Sequence, residues 1–265
     1  NNPSQFVNHI NAIGLNKKLG LEFKGEGTPY IPQPSDKNWS NLSLPWMAFG
    51  YGVSVTPLQT LTFYNAVANN GEMVKPQIIT EIKQWDKTIK KYDKVVINPK
   101  VCSQETLLKL KAVLLNVVKR GTGAKLYSKD FSMAGKTGTA AVNYAKNGGS
   151  EKYYASSFVG YFPADHPKYS CIVVVHKPNT SNNNYYGADV AGPVFKRIAQ
   201  KIFTDAPSTN EIKNINRKIP KQEKEYDDYI IKAHKQQMST IPNLKGMPGM
   251  DAVALLGNLG VKVKI

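Results

Sequence analysis

The sequence predicts an α+β domain, an antiparallel sheet flanked by helices. Three observations carry that expectation. Two segments open on clear helix caps, at Thr56 and Ser103. Three strand-like segments (131–141, 155–163 and 169–175) follow one another with only a polar loop and a tight turn between them, too little chain for the crossovers of a parallel sheet. An apolar-periodic helix over 189–203 then closes the unit, with Val190, Val194, Phe195, Ile198 and Ile202 on one stripe. Strands in one block and helices in others define the class.

Along the chain, Phe6, Ile10, Ile13 and Leu15 fall near helical spacing and predict a short amphipathic helix within 3–19. Residues 25–45 are rich in Gly, Pro and Ser and read as an extended surface loop, which Trp39 and Trp46 anchor. Thr56-Pro57-Leu58-Gln59 combines an N-cap, a proline at the first helical position and the reciprocal Gln of a capping box. That helix stops at Asn70-Gly71. Residues 74–84 and 94–97 read as paired strands, and 83–94 as an exposed basic hairpin turning at Asp86-Lys87. Ser103 caps a second helix over 104–119, ended by Gly121-Thr-Gly. Beyond the closing helix, 205–240 is charged and poor in large apolar groups, hence a linker or an exposed helix. Residues 241–265 read as a small β–α–β unit, too short to fold well alone.

With 41% apolar and 20% charged residues the 265-residue chain can build a core. Two cysteines, Cys102 and Cys171, cannot make a disulfide scaffold, and four scattered histidines (His9, His166, His176, His234) lack metal-ligand spacing. No metal and no cofactor are expected. The net charge of +16 admits nucleic acid, an anionic membrane surface or acidic substrates. Only Arg120, Arg197 and Arg217 are arginines, however, and base readout favours the planar guanidinium. Nucleic acid is therefore not the expected partner.

The stretch that carries chemistry is Ala134-Gly-Lys-Thr-Gly-Thr-Ala140. Lys136 supplies a fixed positive charge, and Thr137 and Thr139 can donate to a carboxylate. Gly138 leaves room for a substrate to lie along the strand and pair with its backbone. A phosphate loop does not fit, because Asp130 stands where G-x-x-x-x-G-K-[ST] needs its first glycine. An ordinary edge strand with threonines is the competing reading. Tyr185 and Tyr186, in an Asn-rich loop, leave two readings open: the rim of a substrate cleft, or solvent-side aromatics. Cys171 reads as a small buried strand residue, Cys102 as incidental and His176 as a polar strand end.

Over residues 3–204 the chain resembles the penicillin-binding transpeptidases, specifically the monofunctional (class B) cell-division type, whose third motif is Lys-Thr-Gly-Thr. The likeness extends to the 49–59 segment Phe-Gly-Tyr-Gly-Val-Ser-Val-Thr-Pro-Leu-Gln, to Arg120-Gly-Thr-Gly-Ala, to the 158–165 segment Phe-Val-Gly-Tyr-Phe-Pro-Ala-Asp, and to Tyr186-Gly followed by the 190–195 segment Val-Ala-Gly-Pro-Val-Phe. Residues 241–265 resemble a truncated PASTA domain. The expected organisation is thus a transpeptidase domain of penicillin-binding/serine β-lactamase-like fold over 1–204, incomplete at its N-terminus, a linker over 205–240, and a PASTA-like unit over 241–265.

The resemblance implies acyl transfer on D-Ala-D-Ala stem peptides of peptidoglycan, with β-lactam antibiotics acylating the same serine. It implies that Lys136 attracts the terminal carboxylate and hydrogen-bonds the serine of the Ser-x-Asn motif. Thr137 and Thr139 then hold the carboxylate, and the Thr139 backbone N–H is one of two oxyanion donors. It also implies a lipid-linked precursor as substrate, divisome partners including a glycosyltransferase, and an extracytoplasmic domain anchored through a segment upstream of Asn1. A Cys102–Cys171 bridge is compatible with that oxidising location. The chain departs from the family pattern in one respect: it contains no Ser-x-x-Lys. Its Ser-x-Asn matches, at Ser181 and Ser208, follow Lys-Thr-Gly instead of preceding it. The nucleophile is therefore expected outside these 265 residues, and the chain alone is expected to be inactive. A β-lactamase or β-lactam sensor of the same fold, and a non-catalytic cell-wall-binding relative, are the alternatives.

Overall fold

The structure, a computed structural model, describes residues 2–142, 153–180 and 184–205. The chain divides into two compact units, Asn1–Ala206 and Pro207–Ile265. The linker and PASTA-like readings lie outside the described residues.

Helix α1 (Pro3–Ile13) begins where the Asn2 side chain accepts from the Ser4 N–H at 3.1 Å. It ends at Gly14, in the left-handed region at φ 104°. The helix is thus shorter than its apolar spacing suggests: Leu15 already lies in the turn. Val7 is fully buried and packs with Ile31 and Met47, with Trp39 against them. Met47 belongs to α2 (Ser43–Ala48), a short helix that begins within the last residues of the 25–45 loop and that the sequence reading did not assign.

Helix α3 (Pro57–Ala68) forms the expected capping box. Thr56 Oγ1 accepts from the Gln59 N–H at 3.1 Å, and Gln59 Oε1 accepts from the Thr56 N–H at 2.8 Å. Gln59 is 1% exposed, and its Nε2 donates to the Lys17 carbonyl at 2.8 Å. One amide therefore both starts a helix and ties down a strand of chain 42 residues away.

The pairing expected between 74–84 and 94–97 resolves into two ribbons. β1 (Met73–Val74) pairs with β4 (Val96–Asn98), and β2 (Glu81–Gln84) pairs with β3 (Lys87–Lys91). Pro76, which lacks an N–H, lies where a continuous ladder would have to run. The β2–β3 turn sits at Trp85-Asp86, one residue earlier than expected, and the hairpin is exposed throughout.

Helix α4 (Gln104–Arg120) is capped by Ser103 Oγ, which accepts from the Thr106 N–H at 3.2 Å. A 3₁₀ turn, Ala124–Leu126, follows. The central sheet then forms from β5 (Ala134–Val142), β6 (Tyr153–Phe162) and β7 (Tyr169–His176), antiparallel in that order. β5 begins three residues later than the sequence reading, and β6 two earlier. Alternation on β6 sends Phe158 and Phe162 to one face, where they pack on Phe195, Ala191 and Ala199 of α5 (Gly187–Asp205). Tyr161 points to the other face, against Val67 of α3 and Leu107 and Leu114 of α4. Cys171 packs with the α5 cluster and Cys102 with the α3–α4 cluster. The two thiols lie on opposite faces of the sheet and are free, so a bridge between them does not form.

Gln59→Ala is expected to cost about 2 kcal/mol, because it empties a buried site and removes both side-chain hydrogen bonds, to the Thr56 N–H and the Lys17 carbonyl. A melting temperature lower by roughly 4–8 °C would register it. Burial pushes the Tyr64 and Tyr161 phenols up to about 12, while the unfolded chain ionises near 10. Below pH 10 both states hold these protons; from about 10 to 12 only the folded state does. Stability must therefore fall across that window, as urea titrations at stepped pH would show. The Tyr161 hydroxyl is buried with no partner among the described residues. Tyr161→Phe should thus leave neutral-pH stability equal or higher and weaken the alkaline loss.

Candidate functional site

Among the described residues β5 is an end strand of its sheet, and its nine residues pair with β6 without a register shift. The Ala141 N–H donates to the Tyr51 hydroxyl at 2.9 Å and so points away from β6. In an antiparallel ladder the peptide groups of alternate residues face the same edge. The N–H and C=O groups of Thr137 and Thr139 therefore face outward as well. The Lys136 ammonium agrees with this, donating to the Thr137 carbonyl at 2.9 Å along the same edge.

Side chains alternate independently of the edge. Thr137 pairs with Phe158, and Thr139 with Ser156, so both threonines project on the α5 face; Lys136, opposite Val159, stems from the other. The Lys136 side chain then curls back to the outer edge. The predicted residues Lys136, Thr137, Gly138 and Thr139 thus deliver an ammonium, two hydroxyls and the Thr139 N–H beside one open strand edge.

A Cβ at Gly138 would meet Ser157 Oγ on β6, an atom that rotation of the Ser157 side chain moves aside, so the bare position also leaves room beside the strand. Gly187 is tighter still. A Cβ at 187 would run into the carbonyl oxygens of Gly138 and Ser157. This close approach lets the Gly187 N–H, at the start of α5, donate to Thr139 Oγ1 at 3.0 Å. The adjoining loop is bolted down by buried Ser156, whose hydroxyl donates to the Tyr185 carbonyl. Tyr185 stacks on Tyr154 at 4.0 Å between ring centroids and on Tyr186 at 4.6 Å. These tyrosines are packed along the end of β5, where Tyr154 pairs with Ala141.

Thr137 has a partner that motif reading missed. Its Oγ1 lies 2.9 Å from Thr122 Oγ1. Sequence reasoning took Gly121-Thr-Gly only as a helix stop and a family-like spacing; Gly187 and Tyr51 went equally unassigned. Their signal was their place inside family-like segments, not their residue types. His176 is an exposed strand end. Among the described residues no group of three or more His, Cys, Asp or Glu could hold a metal ion, and no helix is long and apolar enough to cross a membrane.

Gly187→Ala should force α5 away from β5 and cost about 1–3 kcal/mol, the usual penalty of overpacking. A lower urea midpoint with an unchanged slope would report it.

The penicillin-binding protein transpeptidase domain family matches residues 1–200. Stage V sporulation protein D of Bacillus subtilis is 32% identical over 259 residues, covering 96% of this chain and 37% of that protein. Peptidoglycan D,D-transpeptidase FtsI of Escherichia coli K12 is 28% identical over 199 residues, 74% of this chain and 31% of that protein. Among solved structures, the transpeptidase domain of Burkholderia pseudomallei penicillin-binding protein 3 superposes with a TM-score of 0.63 at 27% identity, covering 83% of this chain and 60% of that one. Penicillin-binding protein 3 of Mycobacterium tuberculosis in complex with aztreonam gives 0.63 at 28%, covering 77% and 46%. The chain spans about a third of the length of the curated relatives it matches. With its bare strand edge, its Lys-Thr-Gly-Thr row and this extended likeness, the chain belongs to the penicillin-binding protein transpeptidase domain family.

Proposed function

We propose that this chain supplies the anion-binding and oxyanion-donating part of a serine D,D-transpeptidase that crosslinks peptidoglycan during cell division. The observation that carries the reading is the row of donors on the outer edge of β5: Lys136 Nζ, the Thr137 hydroxyl and the Thr139 N–H. An extended peptide ending in D-Ala-D-Ala can pair with that edge as an added strand. Its terminal carboxylate lies against Lys136 and the two threonine hydroxyls. The scissile carbonyl then falls at the Thr139 N–H. A serine from a Ser-x-x-Lys segment outside these residues attacks that carbonyl carbon. The oxyanion is held by the Thr139 N–H together with the N–H of the serine, terminal D-Ala departs, and an amine of a neighbouring stem takes the acyl group. A β-lactam presents the same carboxylate and carbonyl and stops at the acyl-enzyme.

This reading makes peptidoglycan stem peptides, their lipid-linked precursor and β-lactam antibiotics the ligands, and divisome proteins including a glycosyltransferase the partners. It places the domain outside the cytoplasm in the cell envelope, on a protein anchored through a segment preceding residue 1. Within the chain it assigns 1–204 to the transpeptidase domain, 205–240 to a linker and 241–265 to a PASTA-like unit. Removing one charge-assisted partner costs about 1.5–3 kcal/mol. Lys136→Ala in the full-length protein should accordingly slow acylation by a fluorescent penicillin about 10- to 150-fold. The isolated 265-residue chain should not label at all. Labelling of the isolated chain, or a full-length protein that does not label, would overturn the proposal.

A further inference from the structure

Thr122 lies outside the Lys-Thr-Gly-Thr motif, yet its hydroxyl sits 2.9 Å from that of Thr137. The approach is built into the backbone. Past the end of α4, the Gly121 and Gly123 N–H groups both donate to the Val117 carbonyl, at 3.2 and 3.0 Å. The Ala124 N–H donates back to the Gly121 carbonyl at 3.0 Å, and Leu126, 2% exposed, seats the following 3₁₀ turn in the core. Thr122 is therefore presented to β5 by a turn closed on both sides.

A hydroxyl has one proton to give and two lone pairs to receive with. If Thr137 donates to an anion on the outer edge of β5, its own oxygen must be the acceptor of the Thr122–Thr137 bond, and Thr122 the donor. The neighbouring Thr139 is polarised in the same sense, since its oxygen already accepts from the Gly187 N–H at 3.0 Å. Both motif threonines thus carry a donor at their backs. Such chains strengthen the forward bond, because each donation polarises the next hydroxyl.

Resting on the transpeptidase reading above, we infer that Thr122 is a positioning residue of the site: its hydroxyl donates to Thr137 Oγ1 and sets Thr137 as a donor toward the substrate carboxylate. The role needs a hydroxyl and not merely the volume of a threonine. It concerns only ligands that carry the carboxylate.

Thr122→Val and Thr122→Ser in the full-length protein test it. The readout is the second-order rate of acylation by a penicillin and by the methyl ester of the same penicillin, alongside the melting temperature of each variant. The expected result is a five- to tenfold slower reaction of Thr122→Val with the free acid, as the loss of about one net hydrogen bond implies. The ester rate should be unchanged relative to wild type, and Thr122→Ser should react within about twofold of wild type. Equal rates for Thr122→Val and wild type, or an equal slowing on acid and ester, would overturn the assignment while wild-type acylation leaves the transpeptidase reading standing. A wild-type protein that no penicillin acylates would remove that reading and the assignment with it.

Discussion

The unbroken nine-residue pairing of β5 with β6 is the constraint on which the site depends. Because no bulge interrupts the register from Ala134 to Val142, the parity of every peptide group and side chain along β5 follows from any one of them. The Ala141 N–H points outward to Tyr51, so the Thr139 N–H must also point outward. A one-residue slip would turn that donor inward and exchange the faces of Lys136 and the threonines.

Holding the register requires both faces of the sheet to be occupied. Phe158 and Phe162 interlock with Phe195 and the small residues of α5 on one side. Ala134 and Tyr161 pack against α3 and α4 on the other. The capped starts of those helices serve the same end, since Gln59 joins the α3 cap to the Lys17 carbonyl. Among the described residues the outer edge of β5 pairs with no strand, and beside it lie the ammonium, hydroxyl and amide donors. A strand edge left bare is normally a liability in a folded protein. Here it is bordered at Ala141 by Tyr51 and along the α5 face by Gly187.

Much of this was legible in the residues. Thr56, Pro57 and Gln59 announced α3, and Ser103 announced α4, because capping chemistry is local and its groups lie within four residues of one another. The three strand segments and the closing helix were readable from periodicity, and Lys136 and its neighbours from their juxtaposition in one motif. Where the reading strayed, the deciding interaction was not local. The apolar spacing of α1 continued past Gly14, but the chain turned there. The hairpin within 83–94 was legible, but 74–84 read as one strand, and only the fold showed it divided between β1, which pairs with β4, and β2, which pairs with β3. The short helix at Ser43–Ala48 is set by Met47 packing on Val7 and Ile31, which lie 40 and 16 positions away along the chain.

The sequence by itself determined the class of the domain, the order of its major helices and strands, and the four consecutive residues, Lys136 to Thr139, that are proposed to bind an anion. Those properties rest on spacing and on side-chain type, which are written along the chain. Only the tertiary structure decided which edge of β5 stays open, that Thr122 and Gly187 stand behind Thr137 and Thr139, and that Cys102 and Cys171 are divided by the sheet. Thr122 and Thr137 are 15 positions apart, and Thr139 and Gly187 are 48. Contacts across such separations arise when strands and helices close on a common core, and no local pattern encodes which hydroxyl will meet which donor.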